Sequence, residues 1–173
     1  MAKKVIKIGL NTKDINRAIK ELEKYKQDTL NKVEMFRKRL ADELADLAQS
    51  GFNSAMMDDL TSGGSRKPEV TVDVTDNGNV SVVIANGEDA IWCEFGAGVY
   101  HNGSVGSSPH PKGVELGYTI GSYGKGYGKG RAWGYYEDGV LKITRGTPAS
   151  MPMYNAMKEV IVKAESIARE VWK

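Results

Sequence analysis

Val70-Thr71-Val72-Asp73-Val74-Thr75-Asp76-Asn77-Gly78-Asn79-Val80-Ser81-Val82-Val83-Ile84 is the stretch on which the fold turns. Val70, Val72 and Val74 alternate with polar residues, and Val80, Val82 and Ile84 do so again. A period of two puts apolar side chains on one face of a strand. Between the runs lies Asn77-Gly78, a pair that tolerates the positive φ of a type I′ turn. The spacing predicts an antiparallel hairpin over 68–86.

Upstream the period changes. Thr61 to Lys67 reads as a linker rich in Gly and Ser, and before it the apolar spacing is helical. Ile15, Ile19, Leu22 and Tyr25, then Leu30, Val33, Phe36, Leu40, Leu44 and Leu47, recur mostly at steps of three and four. Such steps draw one stripe on a helix. Residues 12–57 are therefore predicted helical, with Thr12 as N-cap, Asp14 favouring the helix dipole and a kink or break near Gln27, where the step is five. The remaining positions between Lys13 and Met57 carry nine basic and eight acidic residues, a solvated surface. A narrow stripe on so long a helix needs a partner, either the chain's own sheet or a neighbouring subunit. Residues 1–11 read as an arm or edge strand.

Downstream, Asp89 to Phe95 fits a single helical turn. Residues 96–134 hold 12 of the 20 glycines, together with the Pro109-His110-Pro111 corner. Ordering so much glycine costs backbone entropy with little apolar surface to offset it, so 96–131 is expected to be a mobile loop. A second hairpin follows over 132–145, turning at Asp138-Gly139. A helix over 150–172 has Ser150 as candidate N-cap and Met153, Met157, Val160, Ile161, Ala164, Ile167 and Val171 as its stripe. The expected architecture is a single α+β domain, 1–173. It has a long N-terminal helix, an antiparallel sheet of two hairpins, a Gly-rich loop, and a C-terminal helix packed on the sheet.

Charge and composition narrow the function. The 24 basic residues nearly balance 22 acidic ones, unlike the basic excess of a dedicated nucleic-acid binder. A lone cysteine, Cys93, forms no internal disulfide and fits a reducing compartment. No apolar run is long enough to span a membrane, and the N-terminus lacks a signal-peptide core, so a cytoplasmic site of synthesis is expected.

Catalytic patterns are equally sparse. Cys93, His101 and His110 give no metal-ligand spacing, so no metal or other cofactor is expected. Cys93 lies in an apolar turn and reads as core. Gly121 to Gly126 has the first spacing of a phosphate-binding loop, but Tyr127 stands where lysine is needed and a hairpin follows instead of a helix. Carboxylates such as Glu94 with Glu137 or Asp138 carry no weight as an acid–base pair among 22 acids. The loop is the stronger feature. Lys112, Lys125, Lys129 and Arg131 interleave with Tyr123 and Tyr127, a pattern suited to weak, sequence-independent DNA contact or to a protein partner.

Two segments together carry a resemblance. Ala90-Ile91-Trp92-Cys93-Glu94-Phe95-Gly96-Ala97-Gly98 resembles the aliphatic–x–x–Glu–Phe–Gly–Thr–Gly signature of neck and tail-completion (head–tail joining) proteins of long-tailed bacteriophages. After a Gly-rich loop with a His-Pro element, here His110-Pro111, that family shows an aromatic hairpin. It then shows Thr-Arg-Gly-x-Pro-Ala-x-x-Pro leading into a helix. Thr144-Arg145-Gly146-Thr147-Pro148-Ala149-Ser150-Met151-Pro152 matches that second segment. Ala97 replaces the commoner Thr, and Met153 stands where Phe is frequent. The match spans roughly residues 86 to 160.

The resemblance implies a non-enzymatic virion protein that forms a ring, expected to be a hexamer, around the DNA channel at the head–tail junction. It implies partners among the neighbouring neck, connector and tail proteins. A minor tail structural protein elsewhere in the tail and a non-specific DNA binder are the alternatives. Glu94, Phe95, Gly96, Gly98, Arg145, Gly146, Pro148 and Pro152 are the expected structural residues. Phe95 is expected in the core, with Gly96 and Gly98 allowing a sharp exit and Arg145 clamping a carboxylate such as Glu94.

Overall fold

The computed structural model describes residues 9, 11–61, 63–97, 110–113, 115–116 and 132–173, the side chain of Trp133 excepted. Its elements are α1 (Thr12–Ser54), β1 (Met57–Asp59), β2 (Gly64–Arg66), β3 (Thr71–Asp76), β4 (Ser81–Asn86), α2 (Asp89–Phe95), β5 (Trp133–Glu137), β6 (Val140–Thr144) and α3 (Pro152–Val171). The protein is α+β, and among the described residues the strand pairs are all antiparallel.

α1 is one helix of 43 residues, without the expected break near Gln27. Kinks need a Pro, a Gly or an inserted group, and residues 12–50 contain neither Gly nor Pro. The polar residues at the five-residue step instead bond locally: Gln27 Nε2 to Asn31 Oδ1 at 2.9 Å and Thr29 Oγ1 to the Tyr25 carbonyl at 2.8 Å. The N-cap is Asn11 rather than Thr12, its Oδ1 accepting from the Asp14 N–H at 2.8 Å. At the other end Ala55 leaves in extended conformation, so residues 55–57 are not helical and Met57 opens a strand.

Each predicted hairpin forms, but as its own two-stranded ribbon, and the expected linker supplies a third. Gly64, Ser65 and Arg66 pair with Asp59, Asp58 and Met57, and the intervening turn is tied by the Thr61 N–H to Asp59 Oδ1. The ribbons of β1 and β6 then meet through the Leu60 N–H to the Ile143 carbonyl at 2.9 Å. The turn of the first hairpin also differs from expectation. Only Gly78 has positive φ there (+88°), which matches a type II′ turn over Gly78-Asn79. The type I′ signature of two positive φ values occurs instead at Asp138 (49°) and Gly139 (77°).

α3 runs antiparallel to α1. Pro152 lies against Gly51, Lys163 reaches Glu43 at 2.7 Å, and the Trp172 ring meets Phe36 edge-on at 5.4 Å. A Cβ on Gly51 would sit 2.9 Å from Pro152 Cβ, so the absence of a side chain sets this close approach. Small residues serve the same packing, for Ala41, Ala45 and Ala48 on α1 and Ala156 on α3 are all buried. The β3–β4 hairpin also lies along α1, joined by Gln49 to the Val70 carbonyl and Val72 N–H and by Arg37 to Asp76. Phe52, Ala55, Met57, Val70, Ala90 and Cys93 form the core, with Val72, Ala85, Trp92 and Met153 packed on it.

Candidate functional site

The two segments that carry the resemblance interlock. α2 ends at Phe95, and Gly96 turns the chain with φ +79°, within about 3.2 Å of residues 147 and 149 if it carried a Cβ. Ala97 then pairs with Thr147 through two backbone bonds of 2.9 and 2.7 Å. The Cys93 carbonyl accepts from the N–H groups of Ser150 and Met151. A side chain at residue 96 would be both strained by its φ and obstructed by that second strand of chain.

Glu94 stands at the centre of this junction, only 8% exposed. Its carboxylate accepts from the N–H of Met153 at 2.8 Å and of Tyr154 at 2.9 Å. Those are orphan donors of the first turn of α3, where the helix dipole also favours negative charge. Glu94 therefore caps a helix 58 residues further on, and the predicted cap, Ser150, does not. Met151 sits at the N-cap position in left-handed conformation (φ 54°) with no side-chain bond of its own.

His110 closes the site. It is 7% exposed, and its Nε2 lies 3.1 Å from Glu94 Oε1. Nδ1 accepts from the Lys112 N–H at 3.0 Å, so the ring proton belongs on Nε2, facing the carboxylate. Phe95 and Tyr154 flank the imidazole at centroid distances of 4.4 and 5.2 Å. Phe95 is thus half-buried against His110 rather than a central core residue.

Arg145 does not clamp Glu94. Its side chain is 62% exposed, and its Nε lies 3.7 Å from Asp58, whose Oδ2 also accepts the Arg145 N–H at 2.7 Å. The reason is positional: Glu94 is already enclosed by α3 and His110, while Asp58 lies beside β6. Gly146 and Pro152 are buried and Pro148 is exposed. Lys112 is exposed beside His110, whereas Gly98, Tyr123, Lys125, Tyr127, Lys129 and Arg131 lie outside the described residues.

A second ion pair, with the carboxylate buried and the guanidinium half-buried, braces α2 from the other end. Arg66 donates to both Asp89 oxygens at 2.6 and 2.8 Å, and Asp89 also accepts from the Glu69 N–H. Burial works to raise the Asp89 carboxyl, but the hydrogen bonds from Arg66 and Glu69 outweigh it and hold the group below its ordinary range. Arg66 is correspondingly held more firmly protonated by that bond. A groove of about 500 Å³ opens beside this pair, lined by Asp58, Trp92, Tyr135, Glu137 and Thr144 among others.

Cys93 has no exposed surface, and burial, aided by the charge of Asp89, pushes its thiol up to about 12. The thiolate that a nucleophile needs is scarce at neutral pH. Among the described residues no three His, Cys, Asp or Glu side chains are grouped to hold a metal ion, and no helix is long and apolar enough to cross a membrane. Sequence reasoning missed the partners of Glu94 and the Arg66–Asp89 pair. The proline-flanked His110 was the one visible signal. Arg66 and Asp89, 23 residues apart, leave no periodic trace.

No family model, no curated protein and no solved structure matches this chain.

Proposed function

We propose that this protein is a structural subunit of a bacteriophage head–tail junction, a neck or tail-completion protein that assembles into a ring around the DNA channel. The observation that carries the reading is the interlock itself. The two segments that resemble the family's signatures are far apart in sequence, yet Glu94 and Ala97 bond directly to Thr147, Met153 and Tyr154. Residues joined in one packed junction make sense as a shared signature of a fold, which favours the resemblance over coincidence.

The work of such a subunit is binding. Glu94 is engaged as a cap and Cys93 is sealed in the core, which favours an assembly role over catalysis. A ring forms through head-to-tail contacts whose rotation closes. Its neighbours are the connector on one side and the tail on the other, and weak contact between the loop and DNA is compatible with that position. Light scattering over a concentration series tests the reading: a mass near six chains is expected. A strict monomer at every concentration, with no joining of separated heads and tails when the protein is added, overturns it.

A further inference from the structure

Lys13, Arg17, Lys20 and Lys24 share one face of the amino-terminal half of α1, and all four are exposed. At about 100° per residue their spacing keeps them within about 60° of arc, in a row about 16 Å long. The acids of the same turns, Asp14, Glu21, Glu23 and Asp28, lie about 50–90° to either side of the row's axis. Among the described residues Arg17 alone of the four has a carboxylate partner, Asp14 at 2.9 Å. The carboxyl half of α1 differs, for there Arg37 is neutralised by Asp76, Lys38 by Glu34 and Arg39 by Glu170. Helix stability does not account for the row. Like charges three and four residues apart weaken a helix, and Lys13 stands in the first turn, where the dipole disfavours a cation.

We propose that this face of α1 contacts the phosphate backbone of double-stranded DNA, independently of base sequence. The proposal rests on the ring reading above for bringing DNA to the protein, and it assigns the contact to the helix rather than to the Gly-rich loop. Charge complementarity selects the occupant. A duplex strand presents a phosphate about every 3.4 Å of axis, so a row about 16 Å long passes about five of them. Three of the four cations are lysines, compact and strongly hydrated charges that suit such contact. Protein–protein interfaces, in contrast, are depleted in lysine. A membrane surface is disfavoured by geometry, because Ile15, Ile19 and Leu22 lie about 130–170° around the helix from the row. A helix resting its apolar stripe on a bilayer would turn these cations away from the headgroups. The formal net charge of the chain is +2, so the row is a local patch and its hold on DNA is weak.

Fluorescence anisotropy of a labelled mixed-sequence duplex, titrated with the protein at a series of salt concentrations, tests it. Each neutralised phosphate contributes about −0.9 to the slope of log affinity against log salt, so about −3 to −4 is expected for each chain engaged. Lys20→Gln combined with Lys24→Gln should cut the slope about in half and weaken binding at low salt. Lys26→Gln combined with Lys32→Gln removes the same net charge from positions off the row and should leave the slope nearly unchanged. Both variants are expected to keep the circular dichroism spectrum of the wild type. Equal losses in the two double variants would reduce the effect to net charge and overturn the proposal. So would a slope that responds to Lys125→Gln, Lys129→Gln and Arg131→Gln in the loop and not to the row. Absence of duplex binding at low salt, or binding to phosphatidylserine vesicles alone, also overturns it. Light scattering reports on the ring separately. A ring that does not bind the duplex overturns this inference and leaves the ring standing, whereas a monomer that binds through Lys20 and Lys24 overturns the ring and supports the helix face.

Discussion

The two halves of α1 carry the same helical periodicity and end in opposite environments. In the carboxyl half, along which α3 and the β3–β4 hairpin pack, the buried positions are small apart from Phe52: Ala41, Ala45 and Ala48. In the amino half Ala18 is buried, but the large residues Ile15, Ile19 and Leu22 face solvent. Residue size therefore does not tell which half is covered. Helices approach closely where side chains are small, as at Gly51, while the large residues of the stripe beyond α3 and the hairpin stay half exposed.

That contrast can be broken by mutation. Phe52, 1% exposed, should respond most: Phe52→Ala is expected to cost about 3–5 kcal/mol, read as a fall in the urea midpoint. Glu94→Ala comes next. It leaves the Met153 and Tyr154 N–H groups and His110 Nε2 without their acceptor, at a cost of about 2–4 kcal/mol. Glu94→Gln should be milder, since one oxygen still accepts. If Glu94→Ala were neutral in the same assay, the junction would not be what seats α3 on the covered half of α1.

Acid should weaken the covered region in a defined window. Asp89 is held below its ordinary value of 3.8 in the folded protein, against the effect of burial, by hydrogen bonds from Arg66 and Glu69. A depressed carboxyl contributes stability that is present above the unfolded value and lost as pH falls through the folded one. Stability followed by fluorescence should therefore drop as pH falls below about 4, and the Arg66→Met variant should lose much of that dependence. A variant with an unchanged acid slope would move the cause elsewhere. The smallest effect belongs to the exposed half. Leu22→Ala, at 53% exposure, is expected to change the stability of dilute protein by no more than about 0.5 kcal/mol. A loss comparable to that of Phe52→Ala would mean that the amino half is packed within the single chain and would erase the contrast.

The elements were legible because each depends on neighbours in sequence. Alternating valines specify β3 and β4, steps of three and four specify α1 and α3, and Asp138-Gly139 accepts the positive φ of its turn. The absence of Gly and Pro kept α1 whole, although the irregular step at Tyr25 suggested otherwise. Glu94, Phe95 and Gly96 stood out as a motif, but not the use made of them.

Only tertiary structure decided which groups meet. Glu94 caps a helix that begins 58 residues later, His110 reaches it from a proline-flanked turn, and Arg145 finds Asp58 instead. The short strand Gly64–Arg66 exists because a partner strand lies beside it, not because Gly-Ser-Arg favours extension. Periodicity records the local backbone geometry that a segment prefers. The pairing of a buried carboxylate is set by whichever donors the packed chain brings within three ångströms, and a burial pattern by which surfaces remain uncovered when packing ends.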